Sequence, residues 1–563
     1  MNYKKKIAEV IKSKVDIELE AIEKLIEIPP LPDMGDYAFP CFQLAKIFRR
    51  DPNIIANELA SKLNQDIFEK VENVGAYVNF FIDKSEFIKN TLEKILSEGA
   101  DYGSSNIGEG KTICIEYSSP NIGKQFQVDN LFSTLIGNSL CKLFEKEGYK
   151  VERLNYVGDW GSKFGKLISA YKRWGNEKAL ENDAIEELLR IYVKFHEEAQ
   201  KNSLLEEEGR VYFRKLKDKD EEVEVLWNKF RNLSLREFKK IYDVFNIKFD
   251  SYLGESFYDD KIENVFNKLR EKEILSESNG AQVVMLNKYN MPPCIVSKED
   301  EKAGYAARGL AAAMYRKKNY DFYKCIYVVE STKALYFKQI FKVLELLDYQ
   351  WAKDCIHVGF GLVKFHDRRS FTRKGEVIIF EDLINKSMRN ILRILNEKNL
   401  NLENKKQIAE KIAIGSIIFT YLKNSREKNV IFNLKEIISF ECETALFIQK
   451  LYVIANRILK RAGDIGIDAN FKKLNSKEEL DLVKILEGFS IAIHNSIENL
   501  EPSIITKYII EVADKFNKFN TIHSLLNLED KELMKARLVL VEATCQVIKN
   551  ALALIGIEVL EKI

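Results

Sequence analysis

The chain has 563 residues, 46% hydrophobic and 31% charged, and 87 Lys and Arg nearly balance 85 Asp and Glu for a formal net charge of +2. That length and apolar content support several buried cores in three or four domains, and the balanced charge excludes a global basic field, leaving any nucleic-acid surface to a local patch. Eight scattered cysteines without a C-x-x-C pair argue against a zinc site or a disulfide framework and for a reducing cytoplasm, and no apolar run reaches the span of a bilayer.

The N-terminus MNYKKKIAEVIKSKV reads as a charged amphipathic helix rather than a signal peptide, and one helix is expected over Lys4–Ile26. The turn IPPLPDMGDYAFP follows, then a second helix from near Phe42. The segment VENVGAYVNFFID has strand character, and SEGADYGSSNIGEG has the composition of a linker. From Lys111 the pattern changes. TICIEY is a short buried strand, SSPNIGKQFQVD a loop, NLFSTLIGNSLCKLFEKEGY a helix and KVERLNYVG the next strand, which together make a βαβ unit of a parallel, nucleotide-binding type of sheet. Charged helical stretches over about 176–250 read as an insertion. Further strands are expected at KCIYVVE and DCIHVGFGLV, separated by the helix LYFKQIFKVLELL. From about Glu381 to Ile563 the periodicity is helical and needs no strands.

Four segments carry a family resemblance in the right order and spacing. IEYSSPNIGKQF resembles the strand and loop that lead into the nucleotide signature of class I arginyl-tRNA synthetases. RLNYVGDWGSKFG is similar to that family's R-x-N-H-x-G-D-W-G-x-Q-F-G, and FGLVKFHDRRSFTRKGEVIIFEDLI to its second signature region, commonly M-S-T-R-K-G. EPSIITKYIIEVADKFNKF and the closing segment KARLVLVEATCQVIKNALALIGIE look like its anticodon-binding helices, with Ala536-Arg537-Leu538 opening the last long helix. MGDYAFP resembles the N-terminal domain that contacts the tRNA elbow. The implied architecture is multidomain α/β. It comprises an α+β N-terminal domain over 1–108, a Rossmann-type parallel-sheet core over 109–380 with insertions at about 176–250, helical in pattern, and about 260–300, and an all-α anticodon-binding-type bundle over 381–563. The implied activity is ATP-dependent ligation of arginine to tRNA.

At the first signature class I synthetases carry H-x-G-H. The imidazoles donate to the phosphates beside a helix N-terminus, and the glycine leaves room for adenine. The matching residues here are Gln127, Val128, Asp129 and Asn130. Asp129 is expected to occupy nucleotide space and to repel polyphosphate: two like charges about 4 Å apart cost on the order of 4 kcal/mol at an effective dielectric near 20. The same residue also suits the N-cap of the following helix. At the second signature Phe371 replaces a small polar residue, while Lys374 and, upstream, Lys124 supply positive charge as family-like catalytic residues.

For the amino-acid pocket the resemblance places Glu116 and Asn121 at the substrate α-amino group and neighbouring atoms. The family's Y-x-x-R-D, whose Asp pairs the guanidinium, reads Tyr305-Ala306-Ala307-Arg308-Gly309 here, and a family glutamine reads Lys333. Tyr156 and Lys163 replace a His and a Gln, and in the C-terminal domain Lys450 and Ile454 replace an aromatic and an arginine beside the retained Gln449. Arg457, Lys460 and Arg461 remain for phosphate contacts.

Scaffold positions are kept while chemistry positions change together. The expectation is therefore a paralogue that has lost normal arginine activation, a pseudoenzyme with a degenerate ATP site that acts as a tRNA-binding, regulatory or biosynthetic-partner protein. Two alternatives stay open: an enzyme re-tooled for a different small molecule or aminoacyl substrate, and a working arginine–tRNA ligase with unusual motifs. ATP and Mg are the family's co-substrates, and no resident cofactor or metal is assigned. Expected partners are tRNA and a protein partner, with no membrane, for a cytoplasmic monomer.

Overall fold

The computed structural model describes residues 3–30, 34–63, 68–297, 304–365, 380–397, 404–432, 443–463, 466 and 468–561. They form two compact units: Met1–Tyr102 with Ile454–Phe489 and Glu511–Ile548, and Gly103–Val453 with Ser490–Ile510 and Lys549–Ile563.

In the first unit the expected single N-terminal helix is two helices, Tyr3–Lys12 and Leu19–Leu25. The Ser13 hydroxyl donates to the Val10 carbonyl and ends the first of them, as small hydroxyl side chains do when they compete for backbone groups. The strand-like segment is a hairpin, β2 (Phe68–Val74) and β3 (Tyr77–Ile82), turned at Gly75 with φ +58°, a conformation glycine adopts without strain. β1 (Tyr37–Pro40) adds antiparallel to β3, giving the order β1-β3-β2. Ile7, Ile11, Ile22, Phe39, Leu59 and Phe80 fill the core beneath this sheet.

The second unit is built on a four-stranded parallel sheet, order β10-β9-β4-β5, of β4 (Thr112–Glu116), β5 (Lys150–Leu154), β9 (Lys324–Val328) and β10 (Cys355–Val358). The centre of β4, Ile113, Cys114 and Ile115, is apolar and fully buried because helices cover both faces of such a sheet. From β4 the chain runs through the helix Val128–Lys146 to β5 on one side. It comes back as β9 on the other side of β4. The strand order therefore reverses at β4, and the crevice at the carboxyl ends of β4 and β9 is where open α/β sheets bind ligands.

Between β5 and β9 lie the helices Glu177–Asn182, Ala184–Ala199, Leu204–Lys217 and Glu221–Val244, and a small antiparallel sheet, β6 (Leu275–Ser278), β7 (Ala281–Val284) and β8 (Cys294–Ser297). The stretch from Glu381 onward, expected to hold helices alone, includes a short strand among its described residues. β12 (Val430–Phe432) pairs in parallel with β11 (Val363–Phe365). Three residues carry too little periodicity to register in a sequence, and the pairing comes from the partner strand.

Candidate functional site at the β4–β9 switch point

Glu116 closes β4 and is 6% exposed. Its carboxylate accepts from Arg316 Nη2 at 2.5 Å, and the buried guanidinium lies over the rings of Tyr156 and Tyr327. Arg316 projects from the helix Tyr305–Tyr320. It escaped the sequence reading, because the two ends of this ion pair lie far apart in the chain.

The loop after β4 holds Ser118 at φ +72° and Ser119 at φ +45°. Non-glycine residues there are strained and persist only where neighbours fix them. Ser118 N donates to Ser133 Oγ at 2.9 Å, Ser133 Oγ donates to the Val328 carbonyl at the end of β9, and the Ser118 hydroxyl lies 2.8 Å from the Tyr242 hydroxyl. The loop is thereby tied to both strands of the crevice and to an insertion helix. Further along, Asn121 bridges Gly158, and its Oδ1 accepts from Lys163 Nζ at 2.9 Å. An added Cβ at Gly158 would run into that same oxygen, so the glycine makes room for the asparagine.

Asp159 in the GDWG run is fully buried and braces the scaffold. It accepts from Ser256 N and Oγ, both at 2.9 Å, and from Arg231 Nε at 2.8 Å. Lys163 Nζ donates also to the Gly158 carbonyl at 3.0 Å. Burial pushes the Lys163 ammonium down to about 8, against the nearby Glu255 carboxylate, which pulls it up.

At the first signature the helix Val128–Lys146 has Gln127, not Asp129, as its N-cap. Asn130 Oδ1 accepts from Gln127 N at 3.1 Å and its Nδ2 donates to the Ser118 carbonyl at 3.2 Å. The expected capping role of Asp129 is thus corrected: it sits in the first turn and its Oδ1 accepts from Val363 N at 3.4 Å, at the start of β11. Burial raises its carboxyl above the usual range.

In the amino-acid half, Tyr305 opens its helix and its ring packs on Tyr336 with centroids 4.7 Å apart. Gly309 lies one turn on, where an added Cβ would run into the Tyr336 hydroxyl. Tyr336 fills the room in which the resemblance expects a carboxylate. Lys333 is exposed at the end of the turn Ser331–Lys333. Glu255, which the sequence reading missed, reaches Arg308 Nε at 3.9 Å and acts electrostatically on Tyr156, Tyr305 and Tyr336. Lys124, Gln127 and Lys163 line one cavity of about 230 Å³. Phe371 and Lys374 lie outside the described residues. No cluster of three His, Cys, Asp or Glu suited to a metal occurs among the described residues.

In the C-terminal part, Gln449 is fully buried and its amide donates to the Glu558 carbonyl at 3.0 Å, whereas Lys450, Arg457, Lys460 and Arg461 are exposed. No described helix is long and apolar enough to cross a membrane.

Three family models cover the chain: an arginyl tRNA synthetase N-terminal domain over 1–82, a class I (R) tRNA synthetase catalytic domain over 91–434 and a DALR anticodon-binding domain over 448–563. Arginine--tRNA ligase of Clostridium botulinum (strain Alaska E43) is 59% identical over 562 residues, and that of Clostridium beijerinckii 58%, each with 100% of both chains covered. The arginyl-tRNA synthetase structure of Thermus thermophilus superposes with a TM-score of 0.82 at 20% identity over 100% of both chains. That of Plasmodium falciparum superposes at 0.79 and 22%, covering 100% of this chain and 99% of its own.

Whole-length identity at this level to proteins named as ligases overturns the expectation of a pseudoenzyme that has lost normal arginine activation, with a degenerate ATP site. The physical reason lies in what the substitutions leave intact. The helix N-terminus presents backbone amides whatever side chains flank it, Gln127 remains a neutral donor at the cavity wall, and the Asp129 carboxylate engages a backbone amide.

Proposed function

The chain belongs to the arginyl-tRNA synthetase family, and from that premise we propose that it is a working arginine–tRNA ligase. In the first step the arginine carboxylate oxygen bonds to the α-phosphorus of ATP. The bond to the bridging oxygen breaks, and pyrophosphate leaves with the electron pair. In the second step a terminal ribose hydroxyl of the tRNA attacks the carbonyl carbon and AMP departs. The observation that carries this reading is the 59% identity over 562 residues, covering 100% of both chains.

The geometry supports particular roles. Asn121, held in place by Gly158 and Lys163, takes the polar atoms around the α-carbon. Glu116 is bound by Arg316, so Glu255, whose contact with Arg308 is the longer at 3.9 Å, is the carboxylate beside the tyrosine-lined pocket that draws a guanidinium in the absence of one at Gly309. The amides at the start of the helix Val128–Lys146 face phosphate, with Lys124 for the departing pyrophosphate. The exposed Lys450, Arg457, Lys460 and Arg461 serve tRNA phosphates. A cytoplasmic, monomeric protein is part of the same reading.

The test is ATP–pyrophosphate exchange in the presence of arginine and tRNA, together with charging of tRNA by labelled arginine. Both reactions are expected. Neither occurring at concentrations where a clostridial relative is active would refute the reading.

A further inference from the structure

Activation brings two anions together, the amino-acid carboxylate and the α-phosphate, and a positive charge or strong donors must sit at their junction. In the family pattern two histidines serve there. Here Asn130, one of the two replacements, has its amide oxygen engaged by Gln127 N and one of its two N–H donors by the Ser118 carbonyl, and it carries no charge. A cation stands nearby on another element. Lys163 is the second residue of the helix Ser162–Trp174, directly after the GDWG run. Its ammonium has three N–H donors. Two go to Asn121 Oδ1 and the Gly158 carbonyl, which leaves one for a ligand.

The surroundings match an anion. The cavity that Lys163 shares with Lys124 and Gln127 is lined otherwise by apolar side chains, backbone and the neutral Gln125 and Tyr192, with no carboxylate. At about 230 Å³ it falls below the roughly 300 Å³ at which whole-ligand pockets begin, so it suits an anionic group rather than an entire nucleotide. Of the charges that act on Lys163, Asp159 is occupied by Arg231 and Ser256, and Lys124 has the same sign. Glu255 pulls toward the charged form but also faces Arg308, 3.9 Å away. A half-buried ammonium whose neighbouring carboxylates already face other cations gains from a ligand that brings a counter-charge.

We propose that Lys163 is a catalytic residue of arginine activation, its ammonium binding the anionic junction where the amino-acid carboxylate meets the α-phosphate, in place of the two signature histidines. The inference rests on the ligase reading above. It is electrostatic only: no proton moves, the new bond is carboxylate oxygen to phosphorus, and pyrophosphate leaves. Burial holds the Lys163 ammonium down at about 8 in the unliganded protein, so its charge is lost progressively as the pH rises through that region.

The experiment measures pyrophosphate exchange between pH 6.5 and 9.5 for the native protein, Lys163→Gln and Lys163→Arg. The native kcat/KM should fall about tenfold per pH unit above the lysine's titration. Lys163→Gln should be at least a hundredfold slower at pH 7.5 and lack the alkaline limb. Lys163→Arg should recover a substantial part of the rate and also lack the limb, which a merely structural lysine would not produce. Lys163→Gln retaining the native rate within threefold, with the same alkaline limb, overturns the proposal. Calorimetry with the non-hydrolysable sulfamoyl analogue of arginyl-adenylate separates the two readings. If the native protein binds the analogue through Lys163, weakening above pH 8 and in Lys163→Gln, without any exchange, the ligase reading fails and the anion site stands. If the analogue fails to bind, or binds Lys163→Gln as tightly as the native protein, the anion site falls.

Discussion

At the scale of single residues, Gly309 and Tyr336 behave as one choice. The glycine sits in a helix, where alanine would ordinarily be favoured by about 1 kcal/mol. Here the added carbon would meet the Tyr336 hydroxyl, with Ile340 Cδ1 at 3.6 Å behind it. Tyr336 has little freedom to yield, since its ring packs on Tyr305 at 4.7 Å and Phe337 at 5.1 Å. Overpacking of this kind costs about 1–3 kcal/mol, so the steric loss outweighs the helix gain. Gly309→Ala is expected to destabilise the protein by about 1 kcal/mol. Tyr336→Phe, which removes only the offending oxygen, should cancel most of that loss in the double variant. A urea-denaturation cycle over the four proteins checks it. Additive single effects would mean that the two side chains do not share the space. A carboxylate at position 309 would thus need Tyr336 to change as well, which the motif alone did not reveal.

At the scale of elements, the C-terminal helices of the first unit are joined through a buried ion pair. The helix Lys477–Glu487 starts at Ser476, whose hydroxyl accepts from Glu479 N while the Glu479 carboxylate accepts from Ser476 N and Asn475 N. The other oxygen of Glu479, a residue 1% exposed, accepts from Arg537 Nε at 2.7 Å. Arg537 donates also to the Ser524 carbonyl at 3.1 Å and faces His523. It comes from the helix Lys531–Leu554, so one guanidinium fixes two helices and a loop. The Ala536-Arg537-Leu538 run therefore does not open its helix, which begins at Lys531, but sits in its second turn as the cross-link. Arg537→Met is expected to cost about 3–5 kcal/mol, because it leaves Glu479 buried without its partner. Arg537→Met with Glu479→Gln should recover much of the loss. Chemical denaturation of the two variants decides, and a single variant within 1 kcal/mol of the native protein would show the pair to be worth little.

At the scale of the whole molecule, the first unit is assembled from distant stretches of chain. Lys484 pairs with Asp36 at 2.9 Å, and the Tyr102 hydroxyl donates to the Leu486 carbonyl at 3.0 Å. The Tyr102 ring stacks on Phe489 with centroids 6.0 Å apart. Leu482, Val483, Leu486 and Phe489 are fully buried in it. Removing residues 1–102 should expose that apolar face, and the shortened chain is expected to aggregate or to bind a hydrophobic dye strongly. A monomeric fragment with native amide protection over 477–489 would contradict this. The βα unit around the first signature and the family itself were legible in the sequence, whereas the break in the first helix, the β6–β8 sheet and β12 were not. Each of the legible features depends on local periodicity or on motifs a dozen residues long, which a linear reading captures. The assignments inside the site were less legible. Asp129 reaches Val363 across 234 positions and Lys163 reaches Asn121 across 42. Which side chain spends its hydrogen bonds on the scaffold, and which keeps one for a ligand, is settled by such partners. The sequence by itself determined the family to which this protein belongs. Only the tertiary structure decided what the altered residues do there, because burial, charge pairing and steric room are properties of neighbours in space.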